Sequence, residues 1–369
     1  MKPRLLFIGP LPEPTTGQSL ACKVLLDALH DTYDVTVVDL RKGNFQQGAN
    51  SLARIGEIGR AIARVRQAQA SADIIYLTIS ESVAGNVKDL AFYAACWRKL
   101  DRMVIHLHGG AGMQQLLAGK ILGLAAINRY FLRKLGGVIV LGNRLTEMYC
   151  STVGSEKMAI VQNFAPSALF RTDEEIRQNF DDSDRLRVLF LSNLLPGKGA
   201  TELVAAISDL SPVERERMTF DFAGGFEDEE SKRAFQDAVA EQPGVHYHGI
   251  VGGDRKRELL ARAHLFCLPT YYPYEGQPIS ILEAYASGTA VLTTDHSGIF
   301  DVFTPGQNGF AVEKRSPASI LCALRQALND REELKRIALE NAALARGFYR
   351  EEDYIARMSA AFSRLVPVR

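Results

Sequence analysis

The sequence predicts an α/β protein built as two doubly wound halves, each with its own parallel sheet. Three observations predict it. Short β-branched and apolar runs alternate with helical patterns along the whole chain. One polar, proline-containing stretch interrupts the alternation, which then restarts. The 369 residues are enough for two full hydrophobic cores. Apolar residues at 47% and charged residues at 23% describe a soluble globular composition.

In the first half the strands read as "RLLFIG" (4–9), "DVTVVDL" (34–40), "DIIYLTI" (73–79), "MVIHLH" (103–108) and "GVIVLG" (137–142), with helical patterns between them. "NFAPSALFRTDEEIRQNFDDSDR" (163–185) reads as the linker, and its "DSD" at 182–184 as solvated charge. The second half follows with "LRVLFLS" (186–192), "MTFDFAG" (218–224), "GVHYHG" (244–249), "HLFCLP" (264–269), "AVLTT" (290–294) and "GFAV" (309–312). The expected division is therefore 1–165 and 166–349, with a closing helix over 350–369.

In such sheets ligands sit at the carboxyl ends of strands, where the chain turns into the next helix. Four loops there carry unusual chemistry. The first strand leads into Gly17 at a helix start, the fourth into His108-Gly109-Gly110, and the first strand of the second half into "SNLLPGKG" with Asn193 and Lys198. "HLFCLP" leads into "YEGQPISILEAYASG" (274–288), with Glu275 and Glu283. Pro278 suits a first helical turn, and Gly276, Gln277, Pro278 and Ile279 bring the backbone to a positive helix end that favours phosphate or sugar oxygens. Lys198 beside a helix start is placed to grip a diphosphate. Gly17 lets backbone approach a phosphate closely.

Glu283 is the only charged side chain between Gly276 and Thr294. A buried carboxylate needs a partner. Two readings compete: a ribose cis-diol, or a distant arginine or backbone donor.

Other chemistries lack their residues. "LPGKGAT" misses the first glycine and the Ser/Thr after lysine that a triphosphate loop requires. The first strand is not followed by the dinucleotide-binding glycine pattern, and there is no G-x-S-x-G elbow. His106 with His108, and His246 with His248, alternate along strands without ligand partners at zinc spacing. The five cysteines form no CxxC pair and read as reduced core thiols of a cytosolic protein. No apolar run reaches about 18 residues, and "MKPRLLFIGPLPEP" makes a poor signal peptide.

Net charge is zero but unevenly shared: residues 1–170 hold 19 Lys+Arg against 12 Asp+Glu, a balance of +7, so the remainder carries −7. A basic first half suits an anionic membrane surface or a phosphorylated acceptor. Residues 51–70, with Arg54, Arg60, Arg64 and Arg66 around apolar positions at helical spacing, read as an interfacial helix or an ordinary packed surface helix.

With these motifs in place, the chain resembles the retaining glycosyltransferase family 4, whose fold, GT-B, has two facing Rossmann-like domains and a cleft between them. The resemblance rests on Glu275 and Glu283 within "EGQPISILEAYASGTAV". "SNLLPGKG", "FAGG", "VHYHGIV", "LPTYYPYEG" and "NGFAV" support it in order, and "GPLPEPTTGQS", "HLHGG", "VIVLGNRL" and "IVQNF" match more loosely in the first half. It implies transfer of a sugar from a UDP- or GDP-sugar to a glycan or lipid-linked acceptor of bacterial surface polysaccharide synthesis. It implies no cofactor and no essential metal, and a cytoplasmic protein peripheral to the membrane. By position, Glu283 would hold the ribose, Glu275 with the backbone of Gly276 to Ile279 the donor sugar, and Lys198 the diphosphate. His108 would face the reacting carbon, and Gly17 the phosphate or acceptor. Asn193 stands where family members often carry arginine, so it offers a hydrogen bond without charge. A nucleotide-sugar-binding protein without transfer, or an epimerase or phosphorylase on this fold, is the competing expectation.

Overall fold

The computed structural model describes residues 2–13, 15–41, 52–119, 123–240 and 242–367. The chain divides into two compact units. Unit 1 comprises Met1–Asn163, Pro273–Gln277 and Glu352–Arg369; unit 2 comprises Phe164–Tyr272 and Pro278–Glu351.

Unit 1 runs β1 (Arg4–Gly9), α1 (Gly17–Thr32), β2 (Asp34–Asp39), α2 (Leu52–Ala68), β3 (Ile74–Ile79), α3 (Val83–Ala95), β4 (Met103–Leu107), α4 (Ala111–Leu117), α5 (Leu124–Leu132), β5 (Gly137–Val140), α6 (Asn143–Thr146) and β6 (Met158–Ile160). Its six strands are parallel, in the order β2-β1-β3-β4-β5-β6. Each central strand is apolar on both faces because helices cover both, as a parallel sheet requires; Ile74–Ile79 is buried throughout. α2 packs against α3 and α3 against α5, the shared face that right-handed crossovers give.

Unit 2 holds α7 (Asp173–Asp181), β7 (Leu186–Leu191), α8 (Ala200–Ser208), α9 (Pro212–Glu216), β8 (Met218–Ala223), α10 (Glu229–Ala240), β9 (Val245–Tyr247), α11 (Gly253–Arg262), β10 (Leu265–Leu268), α12 (Ile279–Ala286), β11 (Ala290–Thr294), β12 (Gly309–Val312), α13 (Pro317–Asn329) and α14 (Arg331–Phe348). The order is β12-β11-β10-β7-β8-β9, again parallel.

The last helix, α15 (Glu351–Leu365), belongs to unit 1 from Glu352 onward. The Phe362 ring meets Tyr76 of β3 edge-on at 5.7 Å, and Leu365 fills the space beside Gly137.

The eleven strands expected from sequence are present, with ends shifted by a residue or two. Three expectations need correction. Of the five cysteines, Cys22, Cys96 and Cys267 are core thiols, but Cys150 and Cys322 are exposed. β6 was not foreseen, because a three-residue edge strand gives too little alternation to register. Much of the stretch read as a linker is the amphipathic helix α7, which buries Ile176 and Phe180 and opens with a reciprocal Thr172/Glu175 capping box. Its charges mask the helical spacing of its apolar residues.

Candidate active site

Each sheet reverses its strand order beside its first strand: between β1 and β3 in unit 1, and between β7 and β10 in unit 2. Ligands favour the carboxyl ends of strands at such switch points. In unit 2 the loops after β7 and β10 are tied together there. Tyr271 N–H donates to the Gly197 carbonyl at 2.7 Å, and Gly199 lies so close to Pro269 that a Cβ would stand 2.6 Å from its atoms. Gly197 and Gly199 have φ of 93° and 92°, left-handed conformations that glycine adopts without strain. Between them Lys198 places its ammonium 4.8 Å from the centre of the Tyr272 ring, just ahead of α8. Asn193 lies earlier in the same loop, part-buried beside Gly225.

Glu283 sits on α12 with 2% of its surface exposed, and Lys256 of α11 binds its Oε1 at 2.5 Å. Between the two readings of this carboxylate, the structure supplies a cationic partner, a lysine that sequence spacing gave no means of choosing. Pro278 is the residue before α12 rather than a member of its first turn, and Ile279 opens the helix. That corrects the expected start by one position: with ψ of 120° Pro278 is still extended.

The preceding segment belongs to unit 1. Glu275 is buried there, and Gly276 packs against the His108 loop so tightly that a Cβ would lie 2.5 Å from the His108 carbonyl oxygen. The Gln277 side chain is fully engaged: Oε1 accepts from Asn163 N–H at 2.7 Å, and Nε2 donates to the Leu141 carbonyl at 3.0 Å. Gln277 therefore anchors the segment, and its backbone carbonyl also accepts from Asn163 Nδ2 at 2.8 Å. The His108 ring lies 4.0 Å from that of His106, and its buried Nε2 finds no hydrogen-bond partner among the described residues. Burial holds His108 down to about 4, so the ring is neutral at physiological pH. Gly17 is the first residue of α1, behind a Thr16/Ser19 capping box after β1.

The structure thus brings His108 together with the Glu275-Gly276-Gln277 segment in unit 1, while in unit 2 Asn193 and Lys198 share the loop after β7 and Ile279 and Glu283 share α12; Gly17 follows the first strand of unit 1 and Pro278 stands at the entry to unit 2. Sequence reasoning missed Lys256, Tyr272 and, most notably, Glu81. Glu81 follows β3 at the switch point of unit 1, a position that its strand assignment could have flagged. A concavity of 550 Å³ lined by Asp101, Gly136, Lys157 and Arg364 opens instead beside the starts of β4, β5 and β6, far along the strands from these loops.

Solved structures place the chain in the GT-B fold class. HepE of Anabaena, solved in complex with UDP and glucose, superposes with a TM-score of 0.74 over 98% of this chain and 99% of its own, at 16% identity. WaaG, a glycosyltransferase involved in lipopolysaccharide biosynthesis, gives 0.71 over 97% and 98%, at 14% identity. By sequence, residues 171–343 match the family described as Glycosyl transferases group 1. An uncharacterized glycosyltransferase of Methanocaldococcus jannaschii is 26% identical over 52% of this chain and 51% of its own. The N,N'-diacetylbacillosaminyl-diphospho-undecaprenol alpha-1,3-N-acetylgalactosaminyltransferase of Campylobacter jejuni is 26% identical over 48% and 45%. The chain spans about half the length of the curated relatives it matches. No helix among the described residues is long and apolar enough to cross a membrane.

Proposed function

We propose that the protein is a retaining glycosyltransferase of family 4 that moves a sugar from a UDP- or GDP-sugar to a lipid-linked or glycan acceptor of bacterial surface polysaccharide synthesis. The observation that carries this reading is the buried Glu283 on α12, at the switch-point end of its sheet and inside the matched segment 171–343. A ribose diol would take this carboxylate alongside Lys256. Lys198, ahead of α8, would hold the diphosphate with Asn193 donating beside it. Glu275 and the backbone from Gly276 to Ile279 would bind the sugar, with His108 near the reacting carbon and Gly17 near the phosphate or acceptor.

In the transfer, the bond from the anomeric carbon to the diphosphate oxygen breaks and its electron pair leaves with the diphosphate. The acceptor oxygen bonds to the same face of that carbon, and its proton passes to the leaving phosphate. Fixed positive charge stabilises the departing diphosphate. Because Lys198 and helix ends supply that charge, no metal or other cofactor is required, and activity is expected to survive a chelator; loss of turnover in EDTA, restored by a divalent cation, would refute this part.

The donor reading is supported by HepE, solved with UDP and glucose. The lipid-linked acceptor is supported by the Campylobacter relative, named for an undecaprenol diphosphate substrate. Peripheral attachment of a cytoplasmic protein to an anionic membrane is supported by unit 1, where α2, α3, α5 and the turn after α3 expose Ile55, Val87, Trp97, Ile127 and Tyr130. The Lys134 ammonium lies 5.1 Å from the centre of the Trp97 ring and 4.9 Å from that of Tyr130, an aromatic and cationic pairing suited to a headgroup layer.

Calorimetric titration of UDP, GDP and their sugar conjugates tests the reading. One nucleotide should bind, and Glu283→Ala should weaken it by at least about tenfold, as expected for a charge-assisted hydrogen bond. Equal binding by the variant, or none by wild type, overturns the assignment.

A further inference from the structure

Glu81 has no part in the chemistry above, yet the His108 loop is built around it. A Cβ on Gly109 would stand 1.4 Å from Glu81 Oε2, and one on Gly112 would stand 2.6 Å from the Glu81 Cβ. Met113 N–H donates to Oε1 at 3.2 Å, and the Gly110 and Gly112 N–H groups also bond the carboxylate. Three backbone donors within four residues thus converge on one side chain from a different loop. The other side of this loop is pinned by Gly276 against the His108 carbonyl, and Tyr274 approaches Gly112.

We propose that Glu81 is a positioning residue for glycosyl transfer: its charged carboxylate seats the Gly109–Met113 backbone and thereby fixes His108 against the Glu275–Gly276 turn. The consequence for rate rests on the transferase reading; the seating itself does not.

A carboxylate can accept from all three donors, whereas a protonated carboxyl gives up part of that capacity. The titratable groups facing it are Glu275 and Tyr274 from the 273–277 segment and the buried Tyr149 phenol; on its own stretch, Asp89 accepts from Ser80 N–H at 2.7 Å and pairs with Lys88. Burial, opposed by the three backbone donors and reinforced by Glu275, pushes the Glu81 carboxyl up to about 7. A carboxyl kept only to fill space would be better off as the amide. One kept for its charge burdens the fold at alkaline pH.

The test compares wild type with Glu81→Gln and Glu81→Asp. Turnover is read as nucleoside diphosphate released from UDP-glucose or GDP-mannose, whichever binds. In wild type kcat should fall on the acid side of pH about 7. Glu81→Gln should lower kcat about 10- to 100-fold at pH 8, the scale of a small misplacement at a reacting centre, and flatten the acid limb. Donor KM should change less than about threefold, because binding in the ground state is not the interaction removed. Glu81→Asp should keep the acid limb at reduced kcat. Independently, Glu81→Gln should raise Tm over wild type at pH 8.5, by less at pH 5.5, and leave it unchanged only below the unfolded glutamate value, about 4.5. A variant that keeps wild-type kcat and its acid limb overturns the positioning role. A Tm difference that does not vary with pH overturns the charged seat. Should wild type bind no donor, the transferase reading falls and the melting curves alone judge the seat: a pH-dependent gap supports it, a constant gap refutes it.

Discussion

Gln277 commits its side-chain amide to Asn163 and Leu141, both buried. Truncating it leaves a buried N–H and a buried carbonyl without partners, each costing about 1–3 kcal/mol. Gln277→Ala is therefore expected to lower the unfolding free energy by roughly 2–4 kcal/mol, measured by urea denaturation; a change near zero would mean that another group satisfies both atoms. Glu283 is the contrasting case. Its buried carboxylate already holds Lys256, so Lys256→Met should destabilise the fold by leaving that charge unpaired, even without nucleotide. Within one motif of the sequence, then, neighbouring polar residues have separate tasks, and residue type alone does not tell them apart.

At the level of elements, the parallel strands were legible because their apolar residues are continuous and their boundaries fall at glycine and polar turns. The loops bearing Lys198, His108 and Glu275 were legible for the same reason, since strand ends fix where such loops lie. α7 was not: Asp173, Glu174 and Glu175 at its start read as linker charge, although they lie where a helix N-terminus favours acids. Its Thr172-x-x-Glu175 capping pair was the available signal. Thr172→Ala should destabilise unit 2 by about 1 kcal/mol, read from thermal or denaturant unfolding. The position of Glu81 after β3 was legible from its strand, but its role was not. Its partners are backbone N–H groups, which leave no side-chain signature, and they belong to a loop after a different strand.

For the whole molecule, the chain order of the two units matters. Unit 1 draws on three separate segments, so residues 1–163 alone lack α15 and the 273–277 turn. That fragment would expose Tyr76 and the surface beside Gly137, and it is expected to aggregate unless 352–367 is supplied as a second chain; a soluble, cooperatively melting 1–163 would contradict this. The pH dependence of stability follows from buried groups in both units. Burial holds His108 down to about 4 and His264 down to about 3, while His264 keeps both ring nitrogens bonded, to Arg187 N–H and the Asn179 carbonyl. Groups depressed in the fold stabilise it above the unfolded histidine value, about 6.5, and that stability is lost as pH falls towards the folded values. Glu81, raised to about 7, has the opposite slope: its contribution is present below the unfolded glutamate value and lost as pH rises through about 7. With His106 also held down by burial, three histidines outnumber the two raised carboxyls, Glu81 and Asp89, so Tm should fall on acidification below about pH 6.5, less steeply in His264→Asn relative to its own value at pH 8.

The contact between Gly109 and the Glu81 carboxylate also constrains how this sequence can change by descent. A methyl at 109 and a carboxylate at 81 claim the same space. Gly109→Ala introduced first must displace the Glu81 carboxylate, whereas the same change after Glu81→Ala no longer meets it. The two positions are then not independent letters: the order in which they mutate shapes which intermediates survive, and a lineage that has lost Glu81 can acquire a side chain at 109 that a bearer of Glu81 accepts only by moving the carboxylate off its backbone donors.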